Sequence, residues 1–120
     1  LSTMFIFEQF PVYIKTEQLQ SVIKKLIIDR RLDKNTADQL RRSSLSILLN
    51  IAEGSGRHTP REKASFYLIA RGSCYECVAV IKLLKLEDSG NEILDALYAE
   101  FTEISKMLSG MIKKFHSYTS

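Results

Sequence analysis

What the sequence has little of narrows the choices first. Among 120 residues there are two prolines, two cysteines and two histidines, and no low-complexity tract or flexible linker divides the chain. Pro11 and Pro60 each stand where a helix can begin, because a missing amide is harmless in a first helical turn. Cys74 and Cys77 cannot supply the disulfide framework of a small secreted domain, which points to a reducing compartment and a cytoplasmic protein. Leu1 to Phe10 lacks the basic start and apolar run of a secretory signal. No segment approaches the roughly 18 apolar residues of a membrane span. None alternates apolar and polar residues over a strand's length, so no sheet is expected. His58 and His116 have no partner at helical ligand spacing, so neither a metal site nor a cofactor is expected.

What is present is ordinary globular composition, 45% apolar and 26% charged, in a chain the size of one domain. Its apolar residues recur at spacings of three and four, the rhythm of amphipathic helices. The clearest set is Leu94, Leu97, Phe101, Ile104, Leu108, Met111 and Phe115. Ser89 with Glu92 reads as the capping box opening that helix, and Thr59 with Glu62 as the box opening the one before it. Tyr67, Ala70, Cys74, Cys77, Ile81 and Leu84 form the third stripe. Ala37, Leu40, Ser44, Ile47 and Ile51 form the second, which Gly54-Ser55-Gly56 is expected to end. Leu19, Val22, Ile23, Leu26 and Ile27 form the first. The expectation is an all-α, single-domain, antiparallel up-down-up-down four-helix bundle, with helices near 11–31, 36–57, 60–86 and 90–116.

Two features exceed what a lone bundle needs. Leu45, Ile47, Leu48, Leu49, Ile51 and Ala52 cover almost the whole circumference of the second helix. Phe66 to Ala70 and Val78 to Ile81 repeat the excess on the third. Large exposed apolar patches are uncommon on monomers, so the surplus predicts a homo-oligomer, a closed ring or dimer. Charge is also divided. Lys15 to Arg71 holds twelve basic and six acidic residues, whereas Glu76 to Glu103 holds two basic and seven acidic. The net +3 is too small to imply nucleic acid binding by itself. Solvated helix faces explain the clusters most simply; the alternatives are a phosphate-binding surface or subunits meeting through opposite charges.

If helices two and three form a hairpin turning near His58, facing residues should have numbers summing to about 117. That register sets Ser43, Ser44 and Ser46 against Gly72, Ser73 and Cys74, so that small residues let two backbones approach. It sets Arg42 against Glu76 and Asn50 against Tyr67. Arg42, Asn50, Glu53, Arg71 and Glu76 are then expected to form a structural polar network, since an unpaired buried charge would be prohibitive. The alternative is a small-ligand or phosphate site using Arg42, Arg57 and Arg71, with Glu53 orienting them.

Catalytic readings fail on chemistry. Glu53 and Glu76 lie at different levels of the hairpin, and two carboxylates need an environment that separates their proton affinities before they act as acid and base. Cys74 and Cys77 have CxxC spacing, but redox reactivity needs a helix N-terminus, and these lie deep inside a helix on its apolar seam. Gly54-Ser55-Gly56-Arg57 lacks the phosphate-loop pattern and follows a helix, not a strand. No enzyme is expected.

Ser46-Ile-Leu-Leu-Asn50-Ile-Ala-Glu53-Gly54-Ser-Gly-Arg57, followed by Phe66-Tyr-Leu-Ile-Ala70-Arg71-Gly72-Ser73 and Glu76, resembles the signature of the bacterial four-helix-bundle proteins first noticed in intervening sequences of 23S ribosomal RNA genes. Phe10-Pro11-Val12-Tyr13 resembles that family's opening, and the likeness runs from Phe10 to Phe115. The resemblance implies a cytoplasmic, non-enzymatic bundle that assembles as a ring, typically a homopentamer, with no implied role in translation. Related bundles serve diversity-generating retroelements as accessory proteins, where a basic pentamer binds reverse transcriptase and nucleic acid. This chain departs from them in its acidic segment and modest charge. It also has Leu48 and Leu49 where the family more usually has Pro and Ser. The expectation that follows is a self-associating scaffold or adaptor whose basic helix ends, Lys24, Lys25, Arg30, Arg31, Arg57 and Arg61, contact RNA, DNA or a protein partner.

Overall fold

The three-four rhythm of apolar residues becomes four helices in the structure, a computed structural model that describes residues 4–116. The first three residues of the N-terminal stretch weighed as a signal lie outside the described residues. A 3-10 turn at Ile6–Gln9 leads into α1 (Pro11–Asp29), followed by α2 (Lys34–Ser55), α3 (Pro60–Glu87) and α4 (Glu92–His116). No strand occurs among the described residues.

The helix ends show which local signals the sequence carried. At α3 the expected cap forms: Glu62 N donates to Thr59 Oγ1 at 3.1 Å, with Pro60 at the first helical position. At α4 the expected cap is displaced. Leu94 N donates to Asn91 Oδ1 at 3.0 Å, so Asn91, not Ser89, caps the helix, and Gly90 (φ 82°) turns the chain into it. Helix α2 begins two residues before the expected start, because Asp33 accepts from Thr36 N at 3.0 Å. Helix α1 stops at Asp29 rather than Arg31, since Arg31 itself takes the left-handed conformation (φ 49°) usually left to glycine.

The bundle is square in plan. Helix α3 packs against α2 on one side and α4 on the other, α1 closes the square against α2 and α4, and α1 and α3 lie diagonally. At about 1.5 Å per residue a 28-residue helix is about 42 Å long, which accounts for the 44 Å long dimension of the molecule. Each helix contributes a buried stripe to one core: Leu19, Ile23 and Leu26; Leu40, Ile47 and Ile51; Ala70, Cys74, Cys77 and Ile81; Leu94, Leu97, Phe101, Ile104 and Leu108. Near the end of α4 the stripe rotates, burying Ile112 and leaving Met111 and Phe115 half-buried. A straight helix of 3.6 residues per turn drifts away from a 3.5-residue seam in this way.

One sequence expectation changes here. Among the described helices α3 is long and apolar enough, by length and composition, to cross a bilayer. Packing against α2 and α4 accounts for part of that composition, since 39% of the apolar window is buried and the rest lies on its outer side.

Candidate functional site

The α2–α3 hairpin carries most of the residues singled out from the sequence, and its real register lies two residues further along α3 than expected. Ser46 Oγ and Ser73 Oγ meet at 2.7 Å, and Ser43 Oγ donates to Glu76 Oε2 at 3.3 Å. Both pairs have numbers summing to 119, which moves every facing partner two residues along α3 from the expected register.

That shift dissolves the single polar network. Glu76 is exposed and accepts from Gln39 Nε2 at 2.9 Å and from Ser43, making no ion pair with Arg42, whose side chain faces solvent. Asn50 does not reach Tyr67. Its amide donates to Ser46 O at 2.8 Å and Ser46 Oγ at 3.1 Å. Accepting from Asn50 leaves Ser46 Oγ both its proton and a second lone pair, so either serine can donate in the Ser46–Ser73 bond. Glu53 pairs with Arg57 at 2.6 Å on its own helical turn. Arg71 turns to α4 and donates to Ser109 Oγ at 3.1 Å. Arg42, Arg57 and Arg71 therefore do not converge on one anion.

The small residues divide likewise. Ser46 with Ser73, and Ser43 beside Glu76, do line the α2–α3 contact. Ser44 faces α1, its carbonyl accepting from Gln20 Nε2 at 3.3 Å. Gly72 faces outward, with nothing within 4 Å of where a Cβ would lie. The close approach is made by Gly54, which the sequence reading took for a helix stop. It is inside α2 and buried, and a Cβ there would lie 2.7 Å from Tyr67 Cε1. Sequence reasoning also missed Lys63, whose ammonium donates to Ser55 O at 2.9 Å and covers the carbonyl end of α2. A lysine one turn into the following helix was the available signal.

The basic residues do not form one surface. Arg30 and Arg31 flank the start of α2, whereas Arg57 and Arg61 flank its end, about 33 Å away over 22 residues. Lys24 and Lys25 are exposed along α1. Two of the six are already engaged: Arg30 pairs with Asp88, and Arg57 with Glu53 while lying 4.6 Å over the Phe66 ring. The acidic segment is partly consumed inside the chain, through Arg30–Asp88, Lys15–Glu100 at 2.7 Å and Lys85–Asp95 at 3.0 Å. Such half-exposed pairs add little stability, but they screen the charge division read from the sequence.

The surplus apolar surface, by contrast, is real. Behind its buried seam α3 carries a second one, Leu68, Gly72, Tyr75 and Ala79, all exposed at alternating spacings of four and three, which the exposed Lys82 interrupts before Leu86. Leu83 and Ile69 flank it at 64% and 52% exposure. On α2, Leu45 and Leu49 are 44% and 56% exposed. In the Ser46–Ser73 register Leu49 is level with Ala70, the residue beside the exposed Ile69. At the turn end a cleft of about 850 Å³ opens between Phe5 to Phe7 and the hairpin, edged by Leu49, Asn50, Arg57 and Phe66.

The fold and this face define a class, a helical bundle whose central hairpin is apolar on both sides. Within that class the chain belongs to the family described as 23S rRNA-intervening sequence protein, which it matches over residues 8–110. It is also similar to a crystal structure of a protein with unknown function from the S23 ribosomal protein family of Bacteroides thetaiotaomicron VPI-5482. The two are 22% identical with a TM-score of 0.75, over 85% of this chain and 98% of that one, a likeness that establishes the fold. No curated protein matches. Neither comparison indicates a catalytic family.

Proposed function

We propose that the protein is a non-catalytic, self-associating scaffold, whose copies meet through the outer face of the α2–α3 hairpin and close into a ring. The observation that carries this reading is the second seam of α3 with its neighbours on α2. Leu45, Leu49, Leu68, Ile69, Tyr75, Leu83 and Leu86 are exposed on α2 and α3, two helices that pack directly against each other. Apolar surface of that kind is unfavourable in water at about 25 cal/mol per Å² and is removed when a sister copy covers it. The family resemblance adds the expectation of five copies.

A cytoplasmic setting agrees with free Cys74 and Cys77. Contact with an acidic partner falls to the basic side chains left in solvent, Lys24, Lys25 and Arg31 toward one end of the bundle and Arg61 at the other. The small-ligand alternative between α2 and α3 has less support, because its three arginines turn to different neighbours.

Light scattering on the full chain tests the proposal. A ring of five has five times the 13.7 kDa chain mass. Leu49→Glu with Leu68→Glu should lower the mass to that of one chain while circular dichroism stays helical. A wild-type protein that is folded and monomeric over a wide concentration range overturns it.

A further inference from the structure

Two opposite charges stand among the exposed apolar side chains of the hairpin, and neither has a counter-ion among the described residues. On α2, Arg42 precedes Leu45 by three residues and Leu49 by seven, so all three share one side of the helix. Arg42 is exposed and makes no hydrogen bond or ion pair there. The charges around it on α2 are already matched, Asp38 by Lys34 and Arg41, and Glu53 by Arg57. On α3, Glu76 lies midway between the exposed Ile69 and Leu83, seven residues from each. The other two acids of that helix, Glu62 and Glu87, stand at its ends.

The bonding of Glu76 is one-sided. Gln39 Nε2 and Ser43 Oγ, both neutral, donate to the same oxygen, Oε2, which leaves Oε1 without a partner among the described residues. Gln39, Ser43 and Ser46 are the residues of α2 that reach α3 here. A turn of about 100° per residue carries Arg42 away from Ser43 and onto the outer face. In water the lone carboxylate is well solvated. Once a sister copy covers the apolar side chains around it, water leaves, and an uncompensated charge becomes strongly unfavourable unless the covering surface brings a cation. The outer strip of α2 brings one. Its Leu45 and Leu49 suit Ile69 and Leu83, and the forked, weakly hydrated guanidinium of Arg42 suits a carboxylate with a free oxygen.

We propose that Arg42 of one copy pairs with Glu76 of the next, the α2 strip of each copy covering the α3 face of its neighbour. This rests on the scaffold reading and adds what sets the register and direction of the contact. Because the strip and the face are different surfaces, the contact is head-to-tail, the kind that generates rings. Such a pair adds little to the strength of association, but opposing like charges at the same place are heavily penalised, so it selects one register.

Charge reversal on the full chain, read by light scattering, tests the pair. Arg42→Glu and Glu76→Arg, each alone, set like charges together in every contact. Each should weaken association about a hundredfold, lowering the mass toward that of one chain while circular dichroism stays helical, since both positions are exposed. Both changes in one chain should restore the wild-type mass. Mixing the two single variants should also restore assembly, in even numbers, because two alternating kinds of chain cannot close a ring of five without one like-charged contact. A pair formed within one chain would be rescued by the double variant but not by mixing. Lys82→Glu, at the exposed cation on the other side of the α3 face, is the control and should not restore assembly when mixed with Glu76→Arg. The proposal is overturned if either single variant keeps the wild-type mass, if their mixture stays at the mass of one chain, or if Lys82→Glu rescues as well as Arg42→Glu does. A monomeric wild type refutes the scaffold reading itself, whereas an assembling wild type with unaffected variants refutes the pairing alone.

Discussion

Replacing Gly54 by alanine isolates the closest approach in the bundle. The added methyl would sit 2.7 Å from Tyr67 Cε1 and 3.1 Å from both Tyr67 Cδ1 and Phe66 Cβ, whereas carbon atoms in contact prefer about 3.5–4.0 Å. Relief requires the Tyr67 ring to move by about 1 Å, but that ring is fully buried and rests against Phe115. Overpacking of this kind typically costs about 1–3 kcal/mol. Opposing it, alanine is better than glycine in a helix interior by about 1 kcal/mol. The net expectation is a loss of up to about 2 kcal/mol, or a melting temperature lower by up to about 8 °C for a domain of this size. Gly110→Ala is the control, since it lies inside α4 with nothing within 4 Å of its Cβ position. That change should raise the melting temperature by about 2–4 °C. Thermal melts followed by far-ultraviolet circular dichroism, at one protein concentration so that association contributes equally, give both values. A Gly54→Ala protein stabilised as much as Gly110→Ala would refute the reasoning, for the contact with Tyr67 would then be soft.

The thiols and the hairpin carboxylate give further checks. Burial pushes the Cys74 thiol up to about 12 and the Cys77 thiol higher still. Both should resist a disulfide reagent at pH 8 in the folded protein and react at once in urea; rapid native labelling would contradict the buried seam. For an acid whose pKa is raised on folding, the native state keeps protons that the unfolded chain has released. Stability is therefore whole below about pH 9 and falls as the pH climbs from there toward 12, which alkaline urea titrations measure. Glu76→Ala should change stability by less than about 1 kcal/mol, because Glu76 is exposed, its bond to Gln39 lies in solvent and its bond to Ser43 is long at 3.3 Å. A larger loss by urea denaturation would restore the buried Arg42–Glu76 pairing that the sequence suggested.

These outcomes follow the division between local and register-dependent signals. The stripes of α3 and α4 were legible because periodicity depends only on positions within one helix, as was the cap at Thr59. The caps of α2 and α4 were harder to place. Asp33 and Asn91 compete with neighbours such as Ser89 that can also accept an amide, and which one wins depends on the path of the incoming chain. The end of α1 hid behind Arg31, whose left-handed conformation no side-chain pattern announces. At the hairpin a one-residue error in the turn was enough to exchange Arg42 for Gln39 and Ser43 as the neighbours of Glu76. A residue changes a helix's facing direction by about 100°, so cross-helix pairs magnify any error in loop geometry.

By itself the amino-acid sequence determined the helices, their buried stripes, the family signature and the presence of more apolar surface than one core takes up. Only the tertiary structure decided where that surplus lies, which arginine meets which acid, and why Gly54 is glycine. The physical reason is reach. Helix formation is set by hydrogen bonds four residues apart, whereas contacts between helices depend on turn geometry, rotation and the volume of every side chain between them.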